Sequence, residues 1–336
     1  MGQLSGLPTR NEWNQASNQD SFAQANWFVS ERWTLTTGVR NSRVDLKSRD
    51  DYLSDGNGSG SVQYRATSPV LGLTWHVSDT WNLYANQGKG FETPTMAEAA
   101  YTTSGTSVSG TFNPTLKAAT SLHRELGTKW APSPATHIGL AWFQIRTDND
   151  LVSDVSAGGK TSYVNATRTL RQGVELSARH AWSPHWKSMA SLTSMQATYD
   201  QTYTTSAAGT IPAGNRLPGV PDRQAFASLQ WAQTGFIASG KAPRAGLEAG
   251  LDWVARSQLW ANDTNTAAAA GYGLFNARIK QRFQWDRAAM EAYLGIDNLA
   301  NRTTIGSVIV NQASSQFYEP GLPRSWILGL QTRLPL

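Results

Sequence analysis

Phe275-Asn276-Ala277-Arg278-Ile279-Lys280-Gln281-Arg282-Phe283-Gln284-Trp285 is the stretch that decides the fold. Taken in steps of two, Phe275, Ala277, Ile279, Phe283 and Trp285 make an apolar set interrupted only by Gln281, while Asn276, Arg278, Lys280, Arg282 and Gln284 make a polar one with three cations. Side chains fall on opposite faces with period two only in a β-strand. After Asp286-Arg287 the alternation returns, with Met290, Ala292, Leu294 and Ile296 against Glu291, Tyr293, Gly295 and Asp297. The end of the chain repeats it, with Trp326, Leu328, Leu330 and Leu334 against Ser325, Gly329, Gln331 and Arg333. Residues 271–336 thus hold three strands, each greasy on one side.

Working outward, strands arrive in pairs. Ser21 to Val29 turns at Ser30-Glu31-Arg32 into Trp33, Leu35, Thr37 and Val39; a strand ending near Val77 turns at Ser78-Asp79-Thr80 into Trp81 to Gly90. Ser121 to Trp130 and Thr136 to Thr147 flank Pro132-Ser133-Pro134, and Arg171 to Trp182 and Trp186 to Tyr199 flank Ser183-Pro184-His185. Arg223 to Trp231 and Gly246 to Arg256 follow, before the terminal strands. Between the pairs lie long polar connections, about 48–60, 91–119, 148–161, 200–221 and 262–271. The second contains Thr93-Pro94-Thr95-Met96-Ala97-Glu98, a short helical turn with proline at its start. Residues 1–17 read as loop or a truncated N-terminal segment.

This reading gives about thirteen strands, joined alternately by tight turns and long loops, as in an outer-membrane barrel. Strict alternation places Leu336 on the same side as the first tight turn. Nine of the 14 tryptophans flank the short turns: Trp27, Trp33, Trp75, Trp81, Trp130, Trp182, Trp186, Trp231 and Trp285. An indole prefers the headgroup layer, with its ring in lipid and its N–H in water, so such a ring reads as an aromatic girdle. The 336 residues, 40% hydrophobic, contain no run near the roughly 18 apolar residues of a membrane helix, which says nothing against a barrel with a polar lumen. Residues 1–18 show no apolar core of a secretory signal.

Several chemistries find no support. There is no Cys, hence no disulfide, thiolate chemistry or thiolate-bound zinc. The net charge of +5 comes from cations scattered singly, not from a clustered nucleic-acid footprint. No G-x-S-x-G or nucleotide-binding glycine fingerprint occurs. His180 and His185 beside Trp182 and Trp186 lack an acid or thiol at ligand spacing, so ring packing is the expected role. Neither a catalytic residue, a metal site nor a cofactor is assigned.

In order along most of the chain, the residues resemble the C-terminal barrel of TonB-dependent outer-membrane receptors of the siderophore-receptor type. The resemblance rests on Phe22-Ala23-Gln24-Ala25-Asn26-Trp27 with Leu35-Thr36-Thr37-Gly38-Val39-Arg40, and on Leu83 to Phe91 followed by Pro94. It continues through Asn113-Pro114-Thr115-Leu116-Lys117, Glu125-Leu126-Gly127, Gly173-Val174-Glu175, Asn298-Leu299 and Pro320-Gly321-Leu322-Pro323-Arg324. It implies an all-β antiparallel transmembrane barrel portion over 18–336, about thirteen strands of a presumed 22, with the signal peptide, TonB-contacting segment and plug missing from this chain. Leu336 stands where the family usually carries a terminal aromatic residue. Thirteen strands opened from a larger barrel expose two edges, so this chain alone is expected not to form a stable conducting barrel.

The function implied is outer-membrane transport of a scarce solute, most often a ferric siderophore, with lipid and lipopolysaccharide around the wall and the TonB system acting through the plug. On the polar face, Glu125, Glu175, Arg278, Lys280, Arg282, Glu291, Asp297 and Arg333 are the expected lumen residues, and Arg324 an expected lumen or loop-anchoring ion pair. In or beside the long loops, Tyr101, Phe112, Trp260, Phe317 and Tyr318 are candidate ligand contacts. The alternative is a soluble, Trp-rich β-sandwich or propeller that binds carbohydrate. It requires a blade-length repeat, which the sequence lacks, and a second layer over the greasy faces.

Overall fold

A computed structural model describes residues 10–104, 107–205, 209–236, 245–285, 288–312 and 314–333. Its main feature is one antiparallel sheet of thirteen strands, each bonded to its neighbour in sequence. The strands are β1 (Glu12–Ser30), β2 (Trp33–Asp50), β3 (Gly60–Ser78), β4 (Trp81–Glu92), β5 (Ala119–Ser133), β6 (Thr136–Asp148) and β7 (Arg168–Ser183). They continue as β8 (Trp186–Tyr199), β9 (Arg223–Ala232), β10 (Gly246–Arg256), β11 (Tyr272–Trp285), β12 (Ala288–Asp297) and β13 (Ser325–Arg333). The sequence places the start of the first strand too late: residues 12–17 are strand, not loop, because Glu12 to Ser17 pair in register with Asp50 to Asp45 of β2. Apart from Trp13 and Ala16 their side chains are polar and carry little hydrophobic alternation, and the ladder forms without it.

Register keeps the two faces separate across the whole sheet. Leu140, Leu176 and Leu192 are cross-strand partners on β6, β7 and β8, and Ile279, Leu294 and Leu328 on β11, β12 and β13. These side chains are exposed, Leu328 to 84%. No second sheet covers them: the remaining sheets among the described residues are two-stranded hairpins. The sandwich or propeller reading therefore fails, since its greasy faces would meet a second layer. Leu334 and the side chain of Trp285 lie outside the described residues.

The two ends of the sheet differ. Two-residue turns join β1 to β2, β3 to β4, β5 to β6 and β7 to β8. Around them Trp33 stacks on Trp75 with ring centroids 5.7 Å apart, and Trp81 pairs in register with Trp130, and Trp186 with Trp231. Trp27, Trp81 and Trp182 donate their indole N–H groups to Thr37, Thr128 and Ser188. His180 packs edge-on against Trp182 at 4.4 Å and bonds Thr136, and His185 donates through Nδ1 to the Ala232 carbonyl, as ring-packing residues do.

At the other end, the long connections carry structure that alternation cannot show, because their strands are two to seven residues long. Five hairpins form there: 102–104 with 107–109, 151–157 with 160–165, 203–205 with 209–211, 259–260 with 268–269, and 305–308 with 318–320. The expected helical turn is a short 3-10 turn, Glu98–Ala100, whose entry is closed by reciprocal bonds between Thr95 and Glu98. The hydrophobic cores among the described residues sit at this end, between the connections and the outer ends of the sheet strands. One joins Leu46, Tyr64, Ala99, Phe112 and Leu116; the other joins Ala166, Ala197, Tyr199, Tyr203, Ile211 and Leu217.

Candidate functional site

The polar face of the sheet and the connections above it form one continuous polar region. On the face, the two charged runs of the C-terminal third meet. Arg282 of β11 lies between Glu248 of β10 and Glu291 of β12, donating to Glu291 through Nε at 2.7 Å and pairing with Glu248 through a terminal nitrogen. Lys280 reaches Glu291 at 3.9 Å. Arg282 is only 14% exposed, so its charge is largely screened by these two acids and not by water. Glu248 is the member of this cluster that sequence reasoning missed. Alternation puts it on the polar face of β10 with Asp252 and Arg256, and register sets it opposite Lys280.

Further along the same face Glu125 accepts the Tyr84 hydroxyl at 2.5 Å. Tyr84 lies across Gly127, its register partner; a Cβ there would come within 2.5 Å of the phenol ring. Tyr293 covers Gly329 in the same way, within 2.2 Å. Glycine leaves the room each ring occupies, and the ring in turn covers the bare backbone. Glu175, Arg278, Asp297 and Arg333 share this face by register.

The five aromatic candidates divide into two groups. Tyr101 accepts a bond from Arg10 at 2.8 Å, with Arg10 and Lys160 over its ring. Phe112, at the same end, is buried in the packing cluster with Leu46 and Tyr64. Trp260, Phe317 and Tyr318 belong to later connections. Phe317 is buried and meets Tyr318 edge-on at 6.1 Å, while Tyr318 is exposed and bonds the Ala268 carbonyl. Arg324 bonds Asn301 through its backbone N–H.

Sequence reasoning also missed a polar centre where four connections converge. Asp263 is buried and accepts hydroxyl bonds from Tyr199 at 2.6 Å and Tyr203 at 2.9 Å, and an amide bond from Asn311 at 2.8 Å. Asn311 also donates to the Ser153 carbonyl at 2.6 Å, and Asn215 to the Asp263 carbonyl at 2.8 Å. Asn311 sits at a positive φ of 54°, in the left-handed region that asparagine tolerates, which aims its amide into this centre. Nearby, Arg171 pairs with Asp150 at 2.8 Å, and Thr169 donates to the same carboxylate. No group of three or more His, Cys, Asp or Glu side chains placed to hold a metal occurs among the described residues.

Known proteins share this architecture. The family model described as TonB dependent receptor-like, beta-barrel matches residues 3–299. The ferric yersiniabactin uptake receptor FyuA from Yersinia pestis superimposes with a TM-score of 0.70 at 18% identity, over 96% of this chain and 46% of that one. The ferric citrate transporter FecA gives 0.71 at 19% identity, over 98% and 47%. The copper transporter OprC gives 0.69 at 18%, over 95% and 48%. The chain thus spans under half the length of each of these three structures, and identities this low speak to fold alone. The match over most of its length, with the all-β sheet and its register, shows that the chain belongs to the TonB-dependent receptor family, as β-barrel.

Proposed function

We propose that this chain supplies wall and solute-binding loops to a bacterial outer-membrane receptor that imports a scarce metal chelate, a ferric siderophore first. The carrying observation is the sidedness of the sheet. One face is greasy, bare and edged at the short-turn end by tryptophans; the other is polar and ion-paired and leads into packed loops. A sheet so divided is stable with lipid or lipopolysaccharide on one side and water or a plug on the other. In this reading Glu125, Glu175, Arg278, Lys280, Arg282, Glu291, Asp297 and Arg333 line the lumen.

Tyr318, Trp260 and Tyr101, which retain accessible surface in the connections, contact the solute; Phe112 and Phe317 brace them from within. No covalent step is needed. The solute binds at the loops, and force from the TonB system on a plug segment opens its way along the polar face. FyuA and OprC, by name a ferric-chelate receptor and a copper transporter, support the class of cargo but do not choose between iron and copper.

The test is uptake by a strain deleted for the full-length gene under metal limitation. Loss of uptake of one ferric chelate, restored by the gene, is the expected result. Unchanged uptake of every siderophore tried removes iron as the cargo, and unchanged uptake of copper as well removes the transport reading.

A further inference from the structure

Asp154 lies in the outer hairpin strand 151–157, at the point where the pairing register with 160–165 shifts. It is 1% exposed, and neither carboxylate oxygen meets a hydrogen-bond partner among the described residues. An ionised carboxylate taken out of water without a donor or a cation is strongly disfavoured. Protonation relieves the charge but leaves a buried hydroxyl with no acceptor.

A second carboxylate shares these surroundings. Asp263 is also 1% exposed. Burial pushes its carboxyl upward, bonds from Tyr199, Asn311 and Tyr203 pull against this, and the charge of Asp154 adds to the upward push. Burial and Asp263 raise the Tyr203 hydroxyl, and Asp154 contributes there too. Geometry brings the two segments together: the Asn311 amide donates both to the Asp263 carboxylate and to the carbonyl of Ser153, the residue before Asp154, and Val152, two residues before Asp154, packs against the cluster that holds Tyr199 and Tyr203. Of the arginines of this region, Arg171 pairs with Asp150 and Arg216 with Asp222, while the other terminal nitrogen of Arg216 meets no partner among the described residues and does not bond Asp154.

We infer that Asp154 and Asp263 together hold a hard divalent cation, calcium first, between the connections that carry Ser153-Asp154, Tyr203, Asp263 and Asn311. The donor set dictates the class: carboxylates, hydroxyls, amide and backbone carbonyls, with no Cys anywhere in the chain. Calcium accepts such mixed oxygen shells and completes them with water, so two acids suffice. The cation cancels the repulsion between the two acids, gives the Asp154 oxygens their partner, and adds a clamp to the hydrogen bonds that already join the four connections, such as Asn311 to Ser153 and Arg216 to Asn265. The inference does not depend on which solute is carried.

The test uses the full-length receptor that carries this chain, in detergent, stripped with EGTA and titrated with calcium chloride by calorimetry. Terbium luminescence, excited through the two tyrosines, is the second readout. One saturable equivalent is expected for the native protein and none for Asp154→Asn, which keeps the shape of the side chain and removes its charge. Because that substitution also removes an unpaired buried charge, it is expected to fold in EGTA at least as well as the native chain, checked by circular dichroism. At ten times its Kd, calcium is expected to slow proteolysis of the outer connections roughly tenfold in the native chain and leave Asp154→Asn unchanged. Absence of saturable binding to the native chain overturns the inference. So does equal binding to Asp154→Asn, or proteolysis of the outer connections indifferent to calcium.

Discussion

Arg282 donates to two acids from two different strands; without the guanidinium Glu291 keeps Lys280 at 3.9 Å and Glu248 keeps no ion-pair partner among the described residues. Arg282→Ala is expected to destabilise the folded protein by about 1.5–3 kcal/mol, the range for hydrogen bonds to charged groups, measured by guanidinium unfolding in detergent. Gly127→Val forces Tyr84 off its seat and breaks its bond to Glu125; a loss of about 1–3 kcal/mol, typical of overpacking, is expected in the same assay. Outside the sheet's greasy band, Asp50 accepts backbone N–H bonds from Gly58 and Tyr52, which hold its carboxyl below the usual carboxylate range. Stabilisation of the 51–59 connection is then present above the unfolded carboxylate's value and lost as pH falls through the lowered folded value. Hydrogen-exchange protection in 51–59, taken relative to the intrinsic rate at each pH, should fall at acid pH, and Asp50→Asn should remove that dependence. Charged positions such as Arg282 were legible in the sequence because they alternate. Asp263 was not, because its hydroxyl partners lie 60 and 64 residues away and nothing local announces them.

Single strands behave as the alternation dictates wherever one face meets a solvent unlike the other. Leu192, between Leu176 and Ala225 on the greasy face, lies well inside the band bounded by Trp186; its neighbour Thr193 faces the other way. Leu192→Arg is expected to cost about 2–4 kcal/mol in a bilayer and Thr193→Arg far less, a contrast that denaturant unfolding reads directly. A sheet immersed in water on both sides predicts no contrast. Thirteen strands and the place of every short turn were readable for the same reason: hydrophobic alternation is a local signal, renewed every two residues. The outer hairpins were not, since strands of three residues such as 203–205 carry no measurable period and are fixed by packing, here of Tyr203 on Tyr199. Residues 12–17 show the opposite failure, a ladder in which polar side chains fall on both faces and only Trp13 and Ala16 are apolar.

For the whole molecule, the consequence of the fold lies at its edges. Among the described residues β1 and β13 each pair on one side only. In hydrocarbon each unsatisfied backbone group costs several kcal/mol, so the chain by itself is expected to give neither stepwise conductance in planar bilayers nor a heat-resistant folded band on cold gels. A heat-resistant band from the isolated chain would mean that the edges find partners in a second copy or in each other. Family and architecture were legible because they follow from strand count, turn placement and ordered short motifs. The solute was not, because the side chains proposed to contact it, such as Trp260 and Tyr318, are placed by contacts between distant connections, among them the Tyr318 bond to Ala268. The central claim is that the two faces of one sheet touch different solvents, and nitroxide labels at 176, 192 and 294 against 175, 193 and 293 test it in micelles. Relaxation by oxygen, which partitions into the apolar phase, should dominate at the first set, and relaxation by a water-soluble nickel chelate at the second. Equal access of both agents to both sets would contradict the account.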